Sequence, residues 1–167
     1  MYLIAFLIII LLEIANILIN KRIYSSMNDS QEIPLMKGLP QGLPVMTLKN
    51  NNQWFYFIVD TGSNISMLSE IFYNKIKVEK EACDPNLMTT GIGGTVTYTR
   101  ECIAKFEDIK GTCYNINFSI SPQLNGVASA IKDAVNIEIA GLIGTDFLYT
   151  NGYIVDFNSL SLKRKIK

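Results

Sequence analysis

A single aspartate, Asp60, ends an unbroken apolar run, Trp54-Phe55-Tyr56-Phe57-Ile58-Val59, and is followed by Thr61-Gly62-Ser63. A carboxyl group so placed closes a buried strand and opens a tight, glycine-containing turn, which holds it rigidly. That suits general acid or base chemistry. The chain has no histidine among its 167 residues. Ser-His-Asp and Cys-His catalysis and most zinc sites are thereby removed, since each needs an imidazole. Cys83, Cys102 and Cys113 show no C-x-x-C spacing and read as free, partly buried thiols. A Cys102–Cys113 bridge would require an oxidising compartment. Fifteen basic residues balance fifteen acidic ones, so there is no nucleic-acid footprint.

The elements that must position Asp60 are mostly short strands. Leu43–Leu48 reads as a first strand, and Lys49-Asn50-Asn51-Asn52 as a hairpin turn whose asparagines tolerate left-handed backbone. Trp54–Val59 is apolar on both faces, as expected of a strand buried on both sides. Ser69–Ile76 reads as a short helix capped by Ser69. Thr89–Tyr98 is a glycine-rich hairpin, and Arg100–Phe106 and Thr112–Ile120 are strands joined by a turn at Asp108–Gly111. Ser121–Asn136 reads as a loop holding one short helix. Ile137–Ile143 is a further strand, and Tyr153–Phe157 with Leu160–Leu162 forms a final hairpin. The expected fold is mainly β, a closed, barrel-like domain with a few short helices.

Downstream of Asp60-Thr61-Gly62 come Ala140-Gly141-Leu142-Ile143-Gly144-Thr145-Asp146-Phe147-Leu148 and Tyr153-Ile154-Val155-Asp156-Phe157. Together these resemble the single-domain, retropepsin-like aspartic proteases across residues 43–162. The resemblance implies that Asp60 is catalytic and that Thr61, Gly62 and Ser63 support its loop, with Ser63 hydrogen-bonding the carboxylate. Gly91, Ile92, Gly93 and Gly94 correspond to a substrate-covering flap, or form an ordinary hairpin. Leu142, Ile143 and Gly144 match the apolar-apolar-Gly element that packs beneath the catalytic loop. No metal and no cofactor are implied. Two carboxyl groups sharing one proton are required for the chemistry, and the chain carries one such motif, so a homodimer follows, acting on an extended polypeptide. Asp146, at the start of the family's short helix, reads as a cap, and Asp156 as a solvated or hydrogen-bonded strand residue. A catalytically silent peptide-binding or dimerisation module, or one that sequesters peptides, is the alternative function.

Residues 1–20 read as a transmembrane anchor, 21–42 as a linker or approach strand, 43–162 as the protease-like domain and 163–167 as a basic tail. Met1–Ile19 is apolar except for Glu13 and Asn16, about long enough to cross a bilayer. It lacks the basic start and small-residue cleavage site of a signal peptide, which is the competing reading. Lys21 and Arg22 favour a cytoplasmic domain, with the opposite orientation left open. Glu13, Asn16 and Asn20 share one helical face; they serve either self-association of two anchors or contact with the headgroups.

Overall fold

The computed structural model describes residues 32–37, 42–90 and 96–164. Eleven strands and three helices lie among them. β1 (Glu32–Pro34) and β2 (Met36–Lys37) precede β3 (Pro44–Asn50) and β4 (Gln53–Val59). β5 (Met67–Ser69) leads into α1 (Glu70–Tyr73). The long strands β6 (Lys80–Thr90) and β7 (Val96–Asp108) are followed by β8 (Cys113–Ser121) and α2 (Leu124–Val135). β9 (Ile139–Ile143), α3 (Thr145–Asn151), β10 (Tyr153–Asp156) and β11 (Ser161–Arg164) complete the chain.

Six strands close on themselves in the order β3-β4-β9-β5-β8-β7, the ring being sealed where β7 returns to β3. Leu48 and Lys49 face Asp108 and Glu107 across that seam, and Lys49 pairs with Glu107 at 3.0 Å. Opposite charges directly across a strand pair fix its register. Asn50, almost fully buried, donates to the carbonyls of Lys77 and Lys105 and accepts from the Lys77 amide. β4 runs parallel to β9 and β5 parallel to β8; the other pairings recorded around the ring are antiparallel. β2 and β6 extend the sheet outward from β3 and β7. The mainly β barrel with few short helices is therefore as the sequence indicated.

Alternation along β4 sends Phe55, Phe57 and Val59 into the barrel core and Ile58 into a smaller outer cluster with Val45 and Ile139. Phe57 stacks on Phe118 at 5.5 Å and meets Phe106 edge-on at 5.4 Å. Trp54 departs from expectation: at the strand's start it is 44% exposed. The asparagine turn is as expected, with Asn51 and Asn52 at φ 47° and 65°, the left-handed pair that a two-residue hairpin needs.

Two local readings change, and the free-thiol reading of Cys102 and Cys113 stands. Ser121–Asn136 is mostly helix rather than loop, since α2 runs to Val135 and is closed by Asn136 at φ 57°. Its Ile131 and Val135 cover the outer cluster, so burial offset the lack of a side-chain cap at the helix start. Ser69 stands at the N-cap of α1 but makes no capping bond, and its buried hydroxyl has no partner. Cys102 and Cys113 are free thiols, one buried and one exposed, not a bridge; burial pushes the Cys102 thiol up to about 11.

β1, β11 and β10 form a separate three-stranded sheet, so residues 32–34, within the stretch expected to be linker or approach strand, pair with the last strand of the chain. This sheet is joined to the barrel through a buried carboxylate. Asp108, 1% exposed, accepts from the amides of Lys110 and Thr112 and from the Tyr114 hydroxyl at 2.6 Å. Tyr114 in turn meets the Tyr153 hydroxyl at 2.7 Å. Burial, followed by the bond to Asp108, raises the Tyr114 phenol far above its ordinary range. Tyr114→Phe removes one donor from a buried charge and is expected to cost about 2 kcal/mol, read as a lower denaturation midpoint.

Residues 1–20 and the flap glycines Gly91, Gly93 and Gly94, with Ile92, lie outside the described residues. Among the described residues no helix is long and apolar enough to cross a membrane.

Candidate active site

Asp60 follows directly on β4, where parallel pairing sets Val59 beside Ile143 of β9. Its amide donates to the Ile143 carbonyl at 2.9 Å, which carries the pairing one residue past the strand. The turn then closes on itself. The Gly62 amide donates to Asp60 Oδ1 at 2.9 Å and the Ser63 amide to the Asp60 carbonyl at 3.2 Å. A Cβ at Gly62 would stand 3.2 Å from Asp60 Oδ1, so the glycine keeps room for the carboxylate. Asp60 is half-buried, with Thr61 and Gly62 exposed beside it.

Ser63 takes a different part from the one expected. Its hydroxyl donates to the Ile65 carbonyl at 2.7 Å rather than to Asp60; one O–H has one proton to give. Its carbonyl accepts from both the amide and the hydroxyl of Thr145, at 2.9 and 3.1 Å.

Beneath this loop lies the Leu142-Ile143-Gly144 element. Ile143 is fully buried in the barrel, whereas Leu142 packs toward the outer cluster. A Cβ at Gly144 would fall 2.5 Å from the Ile65 carbonyl oxygen, which only a glycine avoids without displacing the loop.

Asp146 is the residue whose role differs most. Gly144, not Asp146, is the N-cap of α3. Asp146 reaches back to the segment that follows the Asp60 loop. Oδ2 accepts from the Ser66 amide and Oδ1 from the Ser66 hydroxyl, both at 2.8 Å, and Oδ1 also accepts from the Phe147 amide. The Ser66 hydroxyl itself accepts from the Gly144 amide at 3.1 Å. Ser66 is fully buried, so this carboxylate solvates a donor that water cannot reach. Asp146→Ala is expected to cost about 3 kcal/mol by orphaning these donors, measured by chemical denaturation. Sequence reading missed Ser66, because its partners stand far along the chain.

Asp156 lies where expected, at the end of β10. It is held below the ordinary carboxylate range first by Lys163, at 2.5 Å, and then by the turn at Asn158 and Ser159. Asp146 and Asp156 are thus both occupied, one by Ser66 across the barrel and the other by Lys163. Among the described residues no cluster of three or more metal-ligating side chains occurs.

The Asp60 site is thus a carboxylate on a glycine turn at the end of a barrel strand, cradled by an apolar-apolar-Gly strand end. Residues 46–147 match the family model described as aspartyl protease, and the chain belongs to that family. No curated protein matches it. Among solved structures it is similar to EIAV protease complexed with the inhibitor HBY-793. The identity is 17%, over 66% of this chain and 89% of that one, with a TM-score of 0.49.

Proposed function

We propose that the protein is an aspartic endopeptidase that works as a homodimer, with Asp60 of each chain at the twofold axis. The observation that supports it most is the allocation of carboxylates. Asp60 stands on the open turn, while Asp146 and Asp156 are occupied by Ser66 and by Lys163. Of these three carboxyls only Asp60 is left for chemistry, and acid–base hydrolysis by carboxyls alone needs two.

In the dimer one Asp60 carboxylate takes a proton from water as the water oxygen bonds to the substrate carbonyl carbon. The other, protonated, gives its proton to the carbonyl oxygen. The gem-diol then collapses: the Asp60 that took the water proton gives it to the amide nitrogen, a gem-diol hydroxyl returns its proton to the other Asp60, and the C–N bond breaks. Thr61, exposed beside Asp60, braces the paired loops. The substrate is an extended polypeptide held through main-chain hydrogen bonds and covered by Gly91–Gly94, which follow β6 in the sequence. Residues 1–20 anchor the protein in a membrane, which raises the effective concentration of chains and favours pairing.

The test is cleavage of a peptide library from acid to neutral pH over a dilution series. Activity that rises more than linearly with protein concentration supports the dimer. A folded, dimeric protein that cleaves nothing would establish the silent peptide-binding module instead.

A further inference from the structure

The three-stranded sheet β1-β11-β10 has two unlike faces. Register sets Tyr153 opposite Arg164, Ile154 opposite Lys163 and Val155 opposite Leu162. Residues directly opposite share a face, and successive residues alternate between faces. Tyr153, Val155 and Leu162 pack into the barrel core. Ile154 and Lys163 therefore stand on the other face. Ile154 is 55% exposed there, and Lys163 reaches Asp156 on the same side.

Two further apolar side chains are exposed close by in the chain. Phe157, one residue past β10, is 63% exposed, and Tyr149 of α3 is 90% exposed. Three of the eight large apolar side chains exposed among the described residues thus fall between 149 and 157, a concentration that marks a contact surface. Arg164 brings the end of α3 to this sheet. Its Nε donates to the Asn151 carbonyl at 3.2 Å, and its guanidinium stands 5.8 Å from the centre of the Tyr153 ring. Both ends of the described chain run through the sheet. β1 follows residues 1–31, and β11 runs into Lys165-Ile166-Lys167. Lys163, Arg164, Lys165 and Lys167 set four cations here against Glu32 and Asp156.

We propose that the outer face of this sheet, together with Tyr149 and Phe157, rests on the headgroups of an anionic bilayer. Aromatic and aliphatic side chains beside Lys and Arg suit that layer: the rings and Ile154 enter its apolar boundary while the cations meet lipid phosphate and carboxylate. The excess of one charge selects lipid over a second copy of the chain. Each cation near an anionic leaflet strengthens binding by roughly fivefold, whereas the same cations would repel one another across a symmetric pairing of this face. Lys21 and Arg22, directly after the apolar stretch, carry the same sign at the other end of the chain. The inference rests on the membrane reading for the nearness of a bilayer, but not for the face itself. Docking would fix how the domain is oriented to the membrane instead of leaving it free on its linker.

Hydroxyl-radical footprinting of the full chain tests this, in vesicles of phosphatidylcholine alone or of phosphatidylcholine mixed with phosphatidylserine. Labelling of Tyr149, Ile154 and Phe157 is expected to fall about threefold or more when phosphatidylserine is present. Trp54, 44% exposed on β4, should label alike in both. Lys165→Gln with Lys167→Gln, or high salt, should return labelling toward the phosphatidylcholine level. Ile154→Ser with Phe157→Ser should unmask Tyr149 while leaving the unfolding midpoint in place, since both side chains are exposed. Equal labelling in the two lipids would overturn the proposal. So would protection that follows the density of protein in the vesicle rather than lipid charge, which would make the face an interface between copies. Carbonate washing separates the two readings. A chain that carbonate releases, after lipid-dependent protection has been seen, loses the anchor and keeps the face. A chain that carbonate leaves in place, labelled alike in both lipids, keeps the anchor and loses the face.

Discussion

Asp60→Asn is expected to reduce peptide cleavage by about 10³-fold or more while leaving the domain folded. An amide neither takes a proton from water nor gives one to a carbonyl oxygen, so the change removes both halves of the acid–base pair. The fold should tolerate it, because the asparagine oxygen still accepts the Gly62 amide that now bonds Asp60 Oδ1. Unfolding midpoints of the two proteins should therefore agree closely. A mixing experiment sharpens the result. If chains exchange freely, equal amounts of wild-type and variant leave roughly a quarter of the dimers wholly wild-type. Specific activity per wild-type chain should then fall by about half. Activity unaffected by the variant would show that each chain works alone, and the shared-proton mechanism would fail.

Gly141→Ala is expected to be the most damaging single-atom addition in the barrel. β9 lies between β4 and β5, and at Gly141 the backbone of β5 comes so close that a Cβ would stand 2.0 Å from the Met67 carbonyl oxygen and 3.0 Å from Leu68 Cα. Both contacts are backbone, so no side-chain rotation relieves them. The strands must separate, which opens the barrel wall beside Leu68 and Phe57. The expected cost is about 3 kcal/mol or more, and a fall of about 10 °C in the midpoint of thermal unfolding. Gly126 is the control. It lies within α2 with nothing near its absent side chain, and Gly126→Ala should stabilise by about 0.5 kcal/mol. Equal effects at the two glycines would refute the packing argument.

The contrast between these glycines bears on what could be read in advance. Gly144 was assigned by its place in a recognisable run, whereas Gly141, three residues earlier, was passed over. A glycine inside a strand signals close approach of something, but only the antiparallel pairing with β5 tells that it is the Met67 carbonyl. The same holds for aspartates. Asp60 is legible because everything that defines it is local: the apolar β4 before it and the glycine turn after it. Asp146 is not, because its partner Ser66 stands on the far side of the intervening strands β6 to β8 and α2, and only closure of the ring brings β5 against β9. A cap was the sensible local expectation; a brace across the barrel is what the fold made of it.

Local order was determined by the sequence itself. Alternating and apolar runs defined the strands, Asn51-Asn52 set a left-handed turn, and Asp60-Thr61-Gly62 marked a tight turn after a buried strand. Those features depend on neighbours within a few residues, where backbone preference and side-chain period act directly. The tertiary structure decided the rest. It set which strands pair in parallel, joined β1 to β11, seated the buried Asp108 beneath Tyr114 and directed the Ser63 hydroxyl to Ile65. It also committed Asp146 to Ser66. Each of these depends on bringing distant segments within hydrogen-bond reach, and the cost of leaving a buried polar group unpaired, rather than any local pattern, selects the partner.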